Sequence, residues 1–168
     1  MENFWKIDIN VCARKSTPRD LVQEQCEKLA EITNGKIIAR VADYEGDYKS
    51  YSKMSNLALL ANAASSLTME SFDAQKELGE SGDDGSFVYE FFISSERTPK
   101  YKYRICFLYY GALLYPVGIT LEQSIANELG VETEFTVDSE EQFTTMLKRI
   151  LGCDKLSEVL SNLLSINI

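Results

Sequence analysis

The sequence predicts an α+β fold on the basis of three features. Two stretches rich in aromatic and β-branched residues, 87–95 and 101–110, are separated by a five-residue loop, as the strands of a hairpin are. Apolar residues recur at helical spacing over 18–33 and again over 138–168. Strands and helices are thus grouped rather than alternating. We expect one domain, 1–168, with an antiparallel sheet of four to five strands and an aromatic central meander, packed by an N-terminal helix and a C-terminal helical hairpin.

The N-terminal third is predicted to form a strand, a helix and a second strand. Residues 4–12 alternate between apolar and polar side chains, which is typical of a half-buried strand. Thr17 and Pro18 then start a helix, with a hydroxyl at the cap and a proline at the first helical position. Gly35 ends this helix in a left-handed cap. Residues 36–44 form the second predicted strand.

The stretch 45–86 is the least defined by its pattern. Residues 54–69 are rich in Ala, Leu, Ser and Asn and favour a helix of low amphipathicity. Residues 77–86 are small, acidic and glycine-rich, so we expect a mobile loop there. Asp83 and Asp84 lie in this loop, but the alternate acids of a calcium-binding loop are missing.

The aromatic hairpin is followed by a third strand, 112–120, in which Pro116 removes one backbone donor. We therefore expect this strand to lie at an edge of the sheet or to bulge at the proline. Glu90 sits among aromatic residues of the first hairpin strand. An inward-facing Glu90 would have a raised pKa and would indicate a site. The more ordinary interpretation is that it faces solvent or pairs across the strands with Lys102 or Arg104.

Helices complete the chain. Residues 121–130 predict a short helix, and Ser139 with Gln142 forms the sequence of a capping box at the start of the next. Gly152 ends that helix and Asp154 caps the last one, so a helical hairpin is expected.

Histidine is absent from the sequence, which excludes Ser-His-Asp and Cys-His catalysis and His-ligated metals. The four cysteines, Cys12, Cys26, Cys106 and Cys153, show no metal or redox spacing. They are expected to be small buried apolar residues in a reducing cytoplasm. Phosphate-binding glycine loops are also missing. We therefore predict no cofactor and no metal, and no stretch is apolar enough to predict a membrane span.

The net charge is −9, and two stretches dominate it: 70–84 holds six acids and one lysine, and 122–141 holds seven acids and no base. Such a molecule repels phosphate backbones, so direct binding of nucleic acid is not expected. A basic cluster at 97–104 is interleaved with tyrosines. It leaves two interpretations open: a strand face that binds nucleic acid or phosphate, or a strand face that is simply solvated.

These observations favour a non-enzymatic protein-binding module, of inhibitor, immunity or adaptor type, that meets a basic partner through an acidic, tyrosine-rich surface. The candidate binding residues are Tyr101, Tyr103, Asp83, Asp84, Glu132, Glu134 and Glu140. Two alternatives remain open. One is an enzyme that uses carboxylate or thiol chemistry on a small molecule. The other is a homodimer formed through residues 138–168, with Leu160, Leu163 and Leu164 at the contact.

Overall fold

A computed structural model describes residues 2, 4–12, 15–48 and 86–166 of the chain. The described helices are α1 (Ile9–Cys12), α2 (Pro18–Ile32), α3 (Gln123–Leu129), α4 (Glu140–Leu151) and α5 (Asp154–Ile166). The described strands are β1 (Ile37–Asp43), β2 (Phe87–Ser95), β3 (Tyr103–Tyr110), β4 (Val117–Leu121) and β5 (Glu134–Val137). The helix expected over 54–69 and all but the last residue of the loop expected over 77–86 lie outside these residues.

The five strands form one antiparallel sheet in the order β1-β2-β3-β4-β5. Each strand pairs with its neighbour in the chain, so the described sheet is a continuous meander. The aromatic strands β2 and β3 lie at its centre, as the sequence predicts. The α+β class, the five-strand sheet, the N-terminal helix and the C-terminal helical hairpin are all confirmed.

The core fills the space between one face of the sheet and the helices. Val22 of α2, Phe143 of α4 and Leu163 of α5 are buried in it. They meet strand residues such as Ile93 and Leu108, which point to the same face because side chains alternate along a strand. We call this the inner face of the sheet and the opposite one the outer face.

Side-chain caps set the helix boundaries. The Thr17 hydroxyl accepts a hydrogen bond from the Asp20 N–H at 3.2 Å, and the Asp20 carboxylate accepts one from the Thr17 N–H at 2.9 Å. This capping box confirms the predicted start of α2. At α4 only half of the predicted box forms: Ser139 accepts from the Gln142 N–H, but the Gln142 side chain accepts from the Asp138 N–H instead.

The strand predicted over 4–12 is wrong. Residues 4–8 have no regular structure, and 9–12 form the short helix α1. The Asp8 side chain accepts from the Asn10 N–H at 3.0 Å, and the Asp8 carbonyl accepts from the Val11 N–H. An aspartate that accepts backbone hydrogen bonds in this way favours a turn over an extended strand. The alternation of apolar and polar side chains gives no sign of this preference.

The fifth strand is instead β5, which the sequence analysis missed because it is only four residues long and lies in an acidic stretch. Its presence also corrects the expectation for the third hairpin strand. β4 lies between β3 and β5 and is therefore not an edge strand. It can pair on both sides because it begins at Val117, after Pro116, so each of its residues has a backbone N–H group to donate.

Gly118 of β4 is required by the ring of Tyr109, which lies across it on the outer face. A Cβ atom at this position would overlap that ring. We expect Gly118→Ala to lower the free energy of unfolding by about 1–3 kcal/mol, as overpacking does elsewhere. Urea denaturation measures this loss. In a Tyr109→Ala background the same substitution should cost much less, and an equal cost in both backgrounds would show that the ring is not the cause.

Candidate functional site

The outer face of the sheet carries one row of residues that crosses all five strands. The register places Ala42, Glu90, Phe107, Thr120 and Glu134 side by side. Glu90, Phe107 and Thr120 are buried although they point away from the main core. A buried carboxylate in the middle of such a row needs charge partners, because an ion taken out of water is otherwise strongly destabilising.

Both oxygens of Glu90 have a cation beside them. Arg104 donates from Nε to Oε1 at 2.6 Å, and Lys102 donates from Nζ to Oε2 at 3.0 Å. The carboxylate side chain is only 5% exposed, whereas the two cations are 44–45% exposed. The Glu90 carboxylate is therefore shielded from solvent, whereas its two cationic partners are partly exposed. The predicted cross-strand pairing of Glu90 with Lys102 or Arg104 is confirmed with both residues.

Aromatic rings hold the two cations in place. The Lys102 ammonium lies 4.2 Å from the centre of the Phe92 ring, and the Arg104 guanidinium lies 4.7 Å from that of Phe107. The Tyr44 ring, from the segment after β1, packs against Phe107 with a centroid distance of 4.6 Å. Cation–π contacts of this kind favour a cation that is already partly desolvated. The cluster is thus tightly built, with its charges satisfied internally.

The environment keeps Glu90 ionised. Burial raises the pKa of its carboxyl, but the hydrogen bonds and charges of Arg104 and Lys102 outweigh burial and hold the pKa below its ordinary value. A general acid needs the opposite shift. Glu90 therefore acts in the fold as a fixed anion, and the inward-facing site with a raised pKa that the sequence left open is not found.

The basic cluster at 97–104 does not form one cationic strand face. Lys102 and Arg104 bind Glu90, and Arg97 donates to the carbonyl of Ile166 at 3.1 Å. Tyr103 lies on the inner side, where its hydroxyl donates to Glu122 at 3.1 Å. Tyr103 and the strand cations Lys102 and Arg104 thus lie on different faces of the sheet.

The described thiols are buried and protonated. Burial raises the pKa of Cys106 to about 12 and that of Cys26 to about 11, and it also raises the pKa of Cys153. Cys106 faces the inner side next to Phe91, away from Glu90, so these two residues do not form a pair. Within the described residues no group of three or more acids and cysteines is placed to hold a metal ion.

Acidic residues gather instead around β5 and the start of α4. Glu132, Asp138, Glu140 and Glu141 are exposed, and Glu134 beside them is half-buried. We call these five residues the acidic surface. Glu132 and Glu134 line an open groove of about 800 Å³ together with Tyr109. The Tyr109 hydroxyl donates to Glu134 at 3.4 Å.

Two other acids of this stretch are used by the fold. Glu122 caps α3, accepting from the N–H groups of Ser124 and Ile125. Burial raises the pKa of Glu122, but these N–H groups and the Tyr103 hydroxyl outweigh it and lower the pKa overall. Glu128 accepts from the Lys155 N–H at the start of α5. Two of the seven acids in the stretch therefore stabilise helix ends, and the other five make up the acidic surface.

The predicted binding residues fall into three groups. Glu132 and Glu134 line the same groove, whereas Glu140 lines a separate cleft at the start of α4. Tyr101 and Tyr103 do not join these acids: Tyr101 lies in the turn before β3, and Tyr103 is half-buried against Glu122. Asp83 and Asp84 lie outside the described residues. The tyrosine at the groove is Tyr109, which sequence reasoning did not select, although its position two residues beyond Phe107 places both on the outer face.

No family model, curated protein or solved structure matches the chain. Among the described helices, none combines the length and the apolar character needed to cross a membrane.

The Glu90 cluster predicts a pH-dependent stability. With a pKa below the unfolded value of about 4.3, ionised Glu90 stabilises the folded state at neutral pH. This contribution is lost as the pH falls through the lowered pKa. Glu90→Gln should reduce the free energy of unfolding by about 1–3 kcal/mol at pH 7, since it leaves two cations without their anion. The difference should shrink near pH 3, as measured by urea denaturation. Exposed Glu96→Gln is the control, and a pH-independent difference would contradict the assignment.

The thiols give a second prediction. In a Cys12→Ser variant, the three remaining cysteines should react with Ellman's reagent at pH 8 only after denaturant is added, because their sulfurs are buried and protonated. Rapid labelling of the native variant would reveal an accessible thiolate and would support thiol chemistry.

Proposed function

We propose that this protein is a non-enzymatic protein-binding module whose acidic surface binds a basic partner. One observation carries the proposal. Glu132, Asp138, Glu140 and Glu141 are exposed, and within the described part of the chain none of them has an ion-pair partner. They belong to a stretch, 122–141, that contains no lysine or arginine. An uncompensated field of one sign is suited to attracting a partner of the opposite sign.

The shape of the surface favours binding over catalysis. The groove beside β5 is open rather than enclosed, and Glu132 at its rim is exposed. A catalytic pair of carboxylates needs one member with a raised pKa in a desolvated pocket. The buried acid that the structure does describe, Glu90, has a lowered pKa and two bound cations. The described acids thus support recognition better than proton transfer.

The groove also offers neutral contacts beside the charges. Tyr109 supplies an aromatic ring and a hydroxyl, and Gln123 and Asn127 of α3 supply amides. Tyrosine is enriched at protein interfaces, where its ring is buried and its hydroxyl stays hydrogen-bonded. An extended segment of the partner, with lysine or arginine side chains toward Glu132 and Glu134, fits this groove. We place the interaction in the cytoplasm, which is supported by the three buried, unpaired thiols.

Charge reversal tests the proposal. Immobilised wild type and the variant Glu132→Lys, Glu140→Lys, Glu141→Lys are used to capture proteins from the native host, and the captured proteins are identified. Glu134 is left in place because it accepts from Tyr109. The matched control reverses three acids away from the acidic surface, Glu45, Glu96 and Glu158, and so has the same net charge. We expect a basic protein to bind wild type and the control but not the surface variant.

The salt dependence of that complex gives an independent measurement. Its association rate constant should fall steeply between about 0.05 and 0.3 M salt, because the Debye length shortens to below about 8 Å. Equal capture by the surface variant, or an association rate that salt does not change, would show that the acidic surface is not the binding site.

A further inference from the structure

β5 is the last strand of the sheet and, among the described strands, it pairs with β4 alone. Its backbone groups alternate in direction, as they do along any antiparallel pair. The Leu121 N–H donates to the Thr133 carbonyl at 2.7 Å, so Thr133 faces β4. Phe135 shares this orientation, whereas Thr136 directs its N–H and carbonyl away from β4. Within the described part of the chain nothing bonds these two groups of Thr136. Such an edge can pair with one more strand.

The open groove follows this edge. Every residue from 131 to 136 lines it, together with Gln123 and Asn127 of α3. Six consecutive residues correspond to the length of an ordinary strand, about 5–6 residues. Beyond the groove, the Asp138 N–H donates to the Gln142 side chain at 2.9 Å, which closes the edge at the start of α4. The groove thus has the length and the position of an added strand.

The two faces of the sheet differ in chemistry along this edge. Glu132 and Glu134 lie two positions apart and line the groove as acids. Val131 and Phe135 are half-buried and pack against the core. The side chains of a strand beside β5 would alternate between the same two faces, so they would meet acids on one face and apolar residues on the other. The other edge strand, β1, contains one arginine and one aspartate and so has no net charge.

We propose that the partner binds β5 as a sixth strand, through an extended segment in which lysine or arginine occupies every second position and apolar residues lie between them. This inference rests on the proposed function and adds the binding mode and the sequence class of the partner's segment. The cations of the segment meet Glu132 and Glu134, and its apolar side chains meet Val131 and Phe135. Its backbone exchanges hydrogen bonds with Thr136, so that main-chain pairing supplies affinity and the alternation supplies specificity.

Two labelled peptides of equal composition and charge test the alternation. They are Lys-Val-Lys-Val-Lys-Val-Lys and Lys-Lys-Val-Val-Val-Lys-Lys, each titrated with the full chain and followed by fluorescence anisotropy. We expect the alternating peptide to bind at least tenfold more tightly, because only its cations and apolar residues can face their partners together.

Backbone methylation tests the main-chain pairing without changing any charge. In the alternating peptide, N-methylation of all internal lysines blocks one edge of the strand, and N-methylation of all valines blocks the other edge. Only one edge can meet β5, so one methylated form should lose binding at least tenfold while the other keeps it. The form that loses binding also shows whether the segment lies parallel or antiparallel to β5.

On the protein, Thr136→Pro removes the N–H at the open edge and leaves the hydrogen bonds between β4 and β5 in place. It should weaken binding of the alternating peptide at least tenfold. Thr136→Val keeps the N–H and is the matched control, which should bind like wild type. In wild type, the same peptide should slow hydrogen exchange at the Thr136 amide, a readout that does not depend on the folding of a variant.

Two sets of results would overturn the proposal in distinguishable ways. Equal affinity of the two peptides, equal effects of the two methylations or unchanged exchange at Thr136 would exclude the sixth strand, while the acidic surface would still stand as the binding site. Binding of neither peptide, or equal binding by the variant Glu132→Lys, Glu140→Lys, Glu141→Lys, would contradict the proposed function together with this inference.

Discussion

The outer face of the sheet depends on the Glu90 carboxylate and the two cations that hold it. Glu90 belongs to β2, and Lys102 and Arg104 come from the start of β3 and the residues before it. The ion pairs therefore join two interior strands of the meander, β2 and β3, beside the point where their register shifts, between Phe91 and Phe92. A one-residue slip would move Glu90 to the apolar inner face without its cations. The contacts of Glu90 with Lys102 and Arg104 thus favour a single register. This register aligns the row of outer-face residues that ends at Glu134.

This arrangement separates the charges of the molecule into two classes. Those of the sheet centre are compensated in place, since Lys102 and Arg104 bind Glu90 and lie over aromatic rings. Four acids of the acidic surface, Glu132, Asp138, Glu140 and Glu141, form no ion pair within the described residues, and Glu134 accepts from the Tyr109 hydroxyl. A compensated cluster stabilises the fold and offers little to a partner, whereas an uncompensated one attracts a partner at little structural cost. The proposed function follows from this difference.

The elements that sequence predicts well are those that local chemistry determines. Thr17 with Pro18 and Ser139 place two helix starts, and period-two aromatic residues place β2 and β3. The errors arise where tertiary context decides. In residues 4–12, apolar and polar side chains alternate as they do in a strand, but these residues pair with no strand in the described structure. β5, in contrast, is a strand because it pairs with β4.

The candidate site divides in the same way. The sequence shows directly that Glu132, Glu134 and Glu140 lie in one acidic run, and their role in binding stays a prediction. The contact of Tyr103 with Glu122 could not be predicted from spacing, because the two residues lie nineteen positions apart in the chain. Tyr109 reaches the groove through pairing of β3 with β4 and of β4 with β5, a relation across three strands that no local pattern contains.

The acidic surface, rather than the charged cluster of the sheet, is the proposed binding face. The most direct measurement is a titration of ¹⁵N-labelled protein with a short oligolysine peptide, followed by backbone amide chemical shifts. We expect the shift changes to concentrate over residues 131–141 and to be reduced by added salt, while the amides around Glu90 and Arg104 stay unchanged. Shifts centred on β2 and β3, or the absence of any saturable change over 131–141, would contradict it.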